Sequence, residues 1–198
     1  MTRGEKLARR RIRYALCGVA GLVLGGATAI ASVRGGALGS SERIGAWTTG
    51  RDLGTDAQSG HGRAVVALRG LLALPGSEAR YYNAAVDDAG DPLRAECRYT
   101  VHGGSVPGRW WSLTLYDRDG YLVPNPAGLF SVGSAAIPGL EQDDWTVEVA
   151  PDRQPGHWLP SGEGDRFELT FRVYLPADRG QGNLSAAQLP SIVRRDCR

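Results

Sequence analysis

Residues 109–117 alternate strictly: Trp110, Ser112, Thr114 and Tyr116 fall on one side, Trp111, Leu113 and Leu115 on the other. The second side is wholly apolar and belongs in a core. The first carries two aromatics with two hydroxyls between them. Residues 166–175 alternate as cleanly, with Phe167, Leu169, Phe171, Val173 and Leu175 against Glu168, Thr170, Arg172 and Tyr174. If the two strands are neighbours, Ser112, Thr114, Tyr116, Arg172 and Tyr174 line one concave surface. Trp110 then stands beside them, with Asn125, His157 and Trp158 at the rim. An arginine there pairs a carboxylate or phosphate, and the aromatics stack a sugar. The competing account is a polar solvent face or a packed Arg–Tyr cluster.

Other chemistry is sparse. His61, His102 and His157 are the histidines, and none sits in an HxH, HExxH or HxxxH arrangement, so no metal site is expected. His157 stands out, because Pro155 and Gly156 shape its loop and Trp158 anchors it; a surface histidine beside a packing tryptophan explains it as well. Asp117 and Asp119 flank Arg118, and paired carboxylates do acid–base work or hold calcium. Turn capping by aspartate is the simpler account. No nucleophile elbow, phosphate loop or dinucleotide fingerprint is present, so no cofactor is expected and the catalytic residues stay unknown.

The elements that must position these residues are short strands. Asp119-Gly120 is a hairpin turn signal following the Trp110 strand. Strands are also predicted over 79–86, 93–101, 129–132, 145–149 and 166–175. In the second of these, Leu93, Ala95, Cys97, Tyr99 and Val101 alternate with charged and polar residues. One amphipathic helix is predicted between about 52 and 74, from Val65, Leu68, Leu71 and Leu72, with Pro75-Gly76 as its stop. Hairpin-sized links with no helix between strands give a mainly β fold: an antiparallel sandwich or jelly-roll-like domain with one packing helix.

The formal charge of +2 hides an asymmetry. Six basic residues minus Glu5 give residues 1–14 a charge of +5, which leaves 2 − 5 = −3 for the rest. A mildly acidic folded part argues against a nucleic-acid partner. Residues 15–33 carry no charge and are long enough for a transmembrane helix, with the lipid bilayer as partner. The basic flank predicts a cytoplasmic N-terminus and a domain outside, in the periplasm or beyond. Two readings stand: an uncleaved anchor in the inner membrane, or a signal peptide cut after Ala29-Ile30-Ala31. The expected organisation is a basic cytoplasmic tail (1–14), the membrane segment (15–33), a linker (34–50) and an exported domain (51–198).

Cys97 and Cys197 are two cysteines in that domain with no other candidate partner, since Cys17 lies in the apolar segment. Outside the cytoplasm they are expected to form a disulfide pinning the C-terminal tail to the sheet.

Residues 110–117 (WWSLTLYD), Asn125-Pro126, His157-Trp158-Leu159-Pro160 and residues 167–176 (FELTFRVYLP) occur in that order. This pattern resembles the signature of the domain of unknown function 1214 family, over about residues 79–190. The resemblance implies a jelly-roll-type β-sandwich, often found beside a companion domain of unknown function 1254, and here a short membrane-tethered form. His157 replaces the family's usual Asn before Trp-Leu-Pro, and Gly128-Leu129-Phe130 stands where Arg-Tyr is frequent. The family implies no agreed reaction. The expected function is therefore a bacterial-type, membrane-anchored envelope module that is more a binder than an enzyme. Its partner would be a glycan, a small polar ligand or an envelope protein. The alternative is a carbohydrate-active or other hydrolase using the same face, with Asp117 or His157 as acid–base group.

Overall fold

The computed structural model describes residues 3–34, 41–50, 59–68, 74–138, 143–179 and 182–198. The chain divides into two compact units, Met1–Ala37 and Leu38–Arg198.

The first unit is a helix, α1 (Arg3–Arg34). It begins well before the apolar run because arginine and lysine are good helix formers. Its span Arg10–Val33 holds an 18-residue stretch with a mean hydropathy of 2.0 and is 24 residues long. At 1.5 Å per residue that is about 36 Å, enough to cross a hydrocarbon layer of about 30 Å. The hydroxyls of Thr28 and Ser32 bond back to the carbonyls of Leu24 and Ala29, so these polar groups are satisfied within the helix. Length and composition are those of a membrane anchor or a signal sequence.

The second unit is mainly β. Its strands are β1 (Ser41–Ile44), β2 (Trp47–Gly50), β3 (Ala79–Ala84), β4 (Cys97–Gly104), β5 (Gly108–Asp117), β6 (Ser131–Gly133), β7 (Asp144–Ala150), β8 (His157–Pro160), β9 (Phe167–Pro176) and β10 (Ser191–Cys197). They form a six-stranded sheet in the order β1-β2-β3-β9-β5-β6 and a four-stranded sheet in the order β10-β4-β7-β8. Every pairing is antiparallel except β7 with β8. The one α-helix of this unit among the described residues, α2 (Gly60–Leu68), starts at Ser59, whose Oγ accepts the Gly62 amide. The ends of the predicted helix, at 51–58 and 69–73, and the linker residues 35–40 lie outside the described residues.

The alternation read in the sequence decides which side of each sheet is buried. Trp111, Leu113, Leu115, Phe167, Leu169, Phe171 and Val173 of the first sheet, and Tyr99, Val101, Trp145, Val147 and Val149 of the second, join one core. Rings meet between the sheets: Trp111 stacks on Trp145 at 4.1 Å, and Tyr99 meets Phe167 edge-on at 5.7 Å. The buried indole N–H groups are satisfied, Trp47 donating to Pro190 O and Trp145 to Gly104 O.

Three segments differ from expectation. Residues 41–50, read as part of a linker, form the β1–β2 hairpin, and β2 adds to β3. Trp47 drives this by burying all but 2% of its surface against Phe171. Residues 157–160, read as an anchored loop, form β8. Ser191–Cys197, expected only as a tail pinned to the sheet by the disulfide, forms a full strand, β10, along β4. Leu175, placed on the apolar side of its strand, is exposed: the backbone turns there to a positive φ and ends the alternation. The disulfide joins Cys97 to Cys197, which face each other across β4 and β10. On its outer side β10 is met by Asp88. The Ile192 N–H donates to Asp88 Oδ2 at 2.9 Å, and the Ile192 carbonyl accepts the Asp88 N–H at 3.0 Å.

Candidate functional site

The outward face of the first sheet is assembled by β3, β9, β5 and β6. Register places Arg172 between Tyr81 and Ser112, and Thr114 between Thr170 and Ser131. Side chains on neighbouring strands in register share a face, so the sequence-predicted set Trp110, Ser112, Thr114, Tyr116, Arg172 and Tyr174 does come together. Ser112, Thr114 and Thr170 are buried at its floor, shaded by larger neighbours.

Arg172 organises the face. Its Nη1 donates to Thr114 Oγ1 at 2.9 Å and its Nη2 to Tyr116 Oη at 2.7 Å. The guanidinium also lies 5.4 Å from the Tyr116 ring centre and 5.9 Å from that of Tyr81. Two hydroxyls and two aromatic rings fix its plane, and none of these partners carries a negative charge. An arginine has five N–H donors. Two are used here, and among the described residues no carboxylate pairs with the cation. Glu168 shares the face opposite Tyr116, but it sits four residues along β9 from Arg172. To one side Trp110 packs against Tyr174 with the rings tilted by 42° and their centres 4.7 Å apart, and it lies over Gly133. A Cβ there would fall 2.9 Å from Trp111 O and 3.0 Å from the Trp110 ring, so the bare glycine permits the approach.

Three of the expected residues lie elsewhere. Asn125 holds the loop that leads into β6. Its Nδ2 donates to Val123 O and Leu129 O, and its Oδ1 accepts the Leu129 amide. His157 and Trp158 belong to β8, the edge of the other sheet, and Trp158 Nε1 donates to Ala150 O at 3.0 Å. They line two recesses. One, of about 330 Å³, includes Asp144, Thr146, Glu148 and His157. The other, of about 200 Å³, opens between β6 and β8 and includes Leu129, Ser131, Arg153, Gln154, His157 and Trp158.

The carboxylates have structural work. Asp117 Oδ1 accepts the amides of Asp119 and Tyr121, which shapes the turn after β5. The predicted return strand of that hairpin is a single bridge, Tyr116 to Leu122. Glu148 accepts the Thr100 hydroxyl at 2.9 Å and lies 4.0 Å from Arg98. Asp144 lies 3.5 Å from His102 and is largely exposed. Asp117 and His157, the two acid–base candidates, sit on strands of different sheets. Sequence reading missed Tyr81 and Asn83, although the alternation Arg80-Tyr81-Tyr82-Asn83 was there to show them on one side of a strand. It also missed Arg153 and Gln154, whose loop gives no periodic signal.

The family described as "Protein of unknown function (DUF1214)" matches residues 78–178, just over half of the chain. The chain belongs to this family. Its DUF1214 region opens one residue before β3 and closes at Asp178, so it holds β3 to β9 and the whole Arg172 face. Its two ends are tied together, because Arg80 on β3, all but 7% buried, donates twice to the Asp178 carboxylate at 2.8 and 2.9 Å. The VPA0106 protein of Vibrio parahaemolyticus, known from a crystal structure, is similar to this DUF1214 chain with a TM-score of 0.56 and 20% identity. The match covers 71% of this chain and 36% of that one, so the chain spans about a third of its length. An uncharacterised protein from Burkholderia cenocepacia gives a TM-score of 0.42 at 20% identity, over 59% of this chain and 29% of that one. At such identity the VPA0106 likeness shows the fold alone. No curated protein matches the chain.

Proposed function

We propose that this DUF1214 chain is a single-pass envelope protein whose β domain is a non-catalytic module for a carboxylate-bearing saccharide. The observation that carries this reading is the Arg172 guanidinium, held in plane by Thr114, Tyr116 and two rings and lacking a carboxylate partner among the described residues. A fixed cation with donors left over suits a bidentate carboxylate, and the tilted Trp110–Tyr174 ring pair beside it offers apolar surface to a sugar ring. Among the described residues this face shows no acid–base pair beside Arg172, which favours recognition over hydrolysis: Asp117 is committed to its turn and Glu168 sits four residues along β9. In this reading residues 15–33 lie in the inner membrane, residues 1–14 stay in the cytoplasm, and the β domain faces outward, where its disulfide is stable.

The binding test uses the full-length chain in detergent with galacturonate and, as the neutral control, galactose. Galacturonate is expected to raise the melting temperature and galactose to leave it unchanged. Arg172→Gln should weaken galacturonate binding at least tenfold by calorimetry while melting near the parent temperature without ligand. Equal binding by the variant, or no binding by the parent, overturns the reading. Orientation is read by a reporter fused after Arg198 that is active only outside the cytoplasm; an inactive fusion would refute the placement.

A further inference from the structure

We infer that the recess between β6 and β8 is a second sugar subsite, so that the ligand on the Arg172 face spans at least two linked rings. The inference rests on the reading of Arg172 as a carboxylate anchor. The recess has about 200 Å³, below the roughly 300–1,000 Å³ of drug-sized sites, and suits one six-membered ring. Its aromatic wall is fixed, because the Trp158 indole N–H is bonded to Ala150 O and the ring cannot swing away. A half-buried indole offers a flat apolar surface to the C–H face of a pyranose. Around it stand planar polar groups suited to hydroxyls, Arg153 and Gln154 on the loop before β8 and His157 on the strand. Gln154 donates to Asp152 O, which orients its amide.

The two places are neighbours through one strand. Ser131 lines the recess and stands opposite Thr114 in the β5–β6 register. Thr114 in turn accepts from Arg172. From β9, which carries Arg172, to β6 is two strand spacings, about 10 Å. A carboxylate on the guanidinium thus leaves the next ring of a chain at the edge of β6, where the recess opens. Asn125 keeps that edge in place by holding Leu129, itself part of the recess wall.

The test compares galacturonic acid with digalacturonic acid, by calorimetry on the full-length chain in detergent. The disaccharide is expected to bind at least tenfold more tightly. The double variant Arg153→Ala/Gln154→Ala, on an outward loop, should remove that gain and leave the monosaccharide affinity unchanged. Arg172→Gln should weaken both. A disaccharide that binds no better than the monosaccharide, or a double variant that keeps the gain, overturns the second subsite and leaves the Arg172 reading standing. Failure of both sugars to bind overturns the Arg172 reading and this inference with it.

Discussion

Replacing Cys97 and Cys197 together by alanine isolates what the disulfide contributes. The bond closes a loop with a sequence separation of 100. Chain-entropy arguments assign a cross-link of that length about 4–5 kcal/mol, exerted on the unfolded chain. The native side should change little, because β10 has other holds. Ile192 is fully buried, Asp88 brackets it, Arg195 donates to Thr100 and Arg98 pairs with Asp196. Cys97 is fully buried too, so truncating it leaves a small void worth about 1 kcal/mol. The expected loss is about 4–6 kcal/mol. With a urea slope of about 2–3 kcal/mol/M, the midpoint should fall by about 1.5–3 M. Tryptophan fluorescence reads this domain alone even in the full-length chain, since Trp47, Trp110, Trp111, Trp145 and Trp158 all lie in Leu38–Arg198. A midpoint shift under about 0.5 M at unchanged slope would refute the reasoning, because the cross-link would then constrain nothing that unfolding releases. Loss of amide protection at Ile192 in the native variant would refute it differently, by showing that the bond alone keeps β10 docked.

Burial pushes the hydroxyls of Tyr82 and Tyr99 above their ordinary value of 10.0, against the opposing pull of the Leu184 and Arg94 amides. The unfolded chain loses these protons near pH 10 while the fold retains them. Their stabilisation is therefore complete below that pH and is lost as pH rises through the raised folded values. Urea midpoints should decline as pH rises past about 10, less steeply in Tyr82→Phe; a flat profile would contradict the assignment. Asp117→Ala removes the acceptor of two turn amides and should cost about 1–2 kcal/mol in urea unfolding without affecting galacturonate affinity. A large loss of affinity would show that Asp117 belongs to the site and not only to the turn.

The sheets' central strands were legible because each turns one face to the core and the other outward. In β5 and β9 apolar residues alternate with polar or amphipathic ones from Trp110 to Tyr116 and from Phe167 to Tyr174. The edges were not, and for physical reasons. β10 buries Ile192 while residues 193–197 stay exposed, so it has no alternation to read. β8 is four residues long, follows Pro155-Gly156 and pairs in parallel with β7, a partner the sequence does not announce. In the β1–β2 hairpin, Trp47 and Thr49 are the buried strand residues. The candidate site divides along the same line. Residues on the alternating strands were placed together correctly, whereas Asn125, His157 and Trp158 depend on where loops and edges fold. Local sequence carries strand faces well and carries sheet order poorly.

The exchange between Asp88 and Ile192 matters beyond this one molecule. A β strand with an open side is a template for any other extended chain, including a second copy of itself. Asp88 fills that position with its own backbone and carboxylate, and the charged side chains of Arg194, Arg195 and Asp196 continue the guard toward the end of the strand. The domain can therefore be concentrated without inviting runaway sheet growth from its last strand.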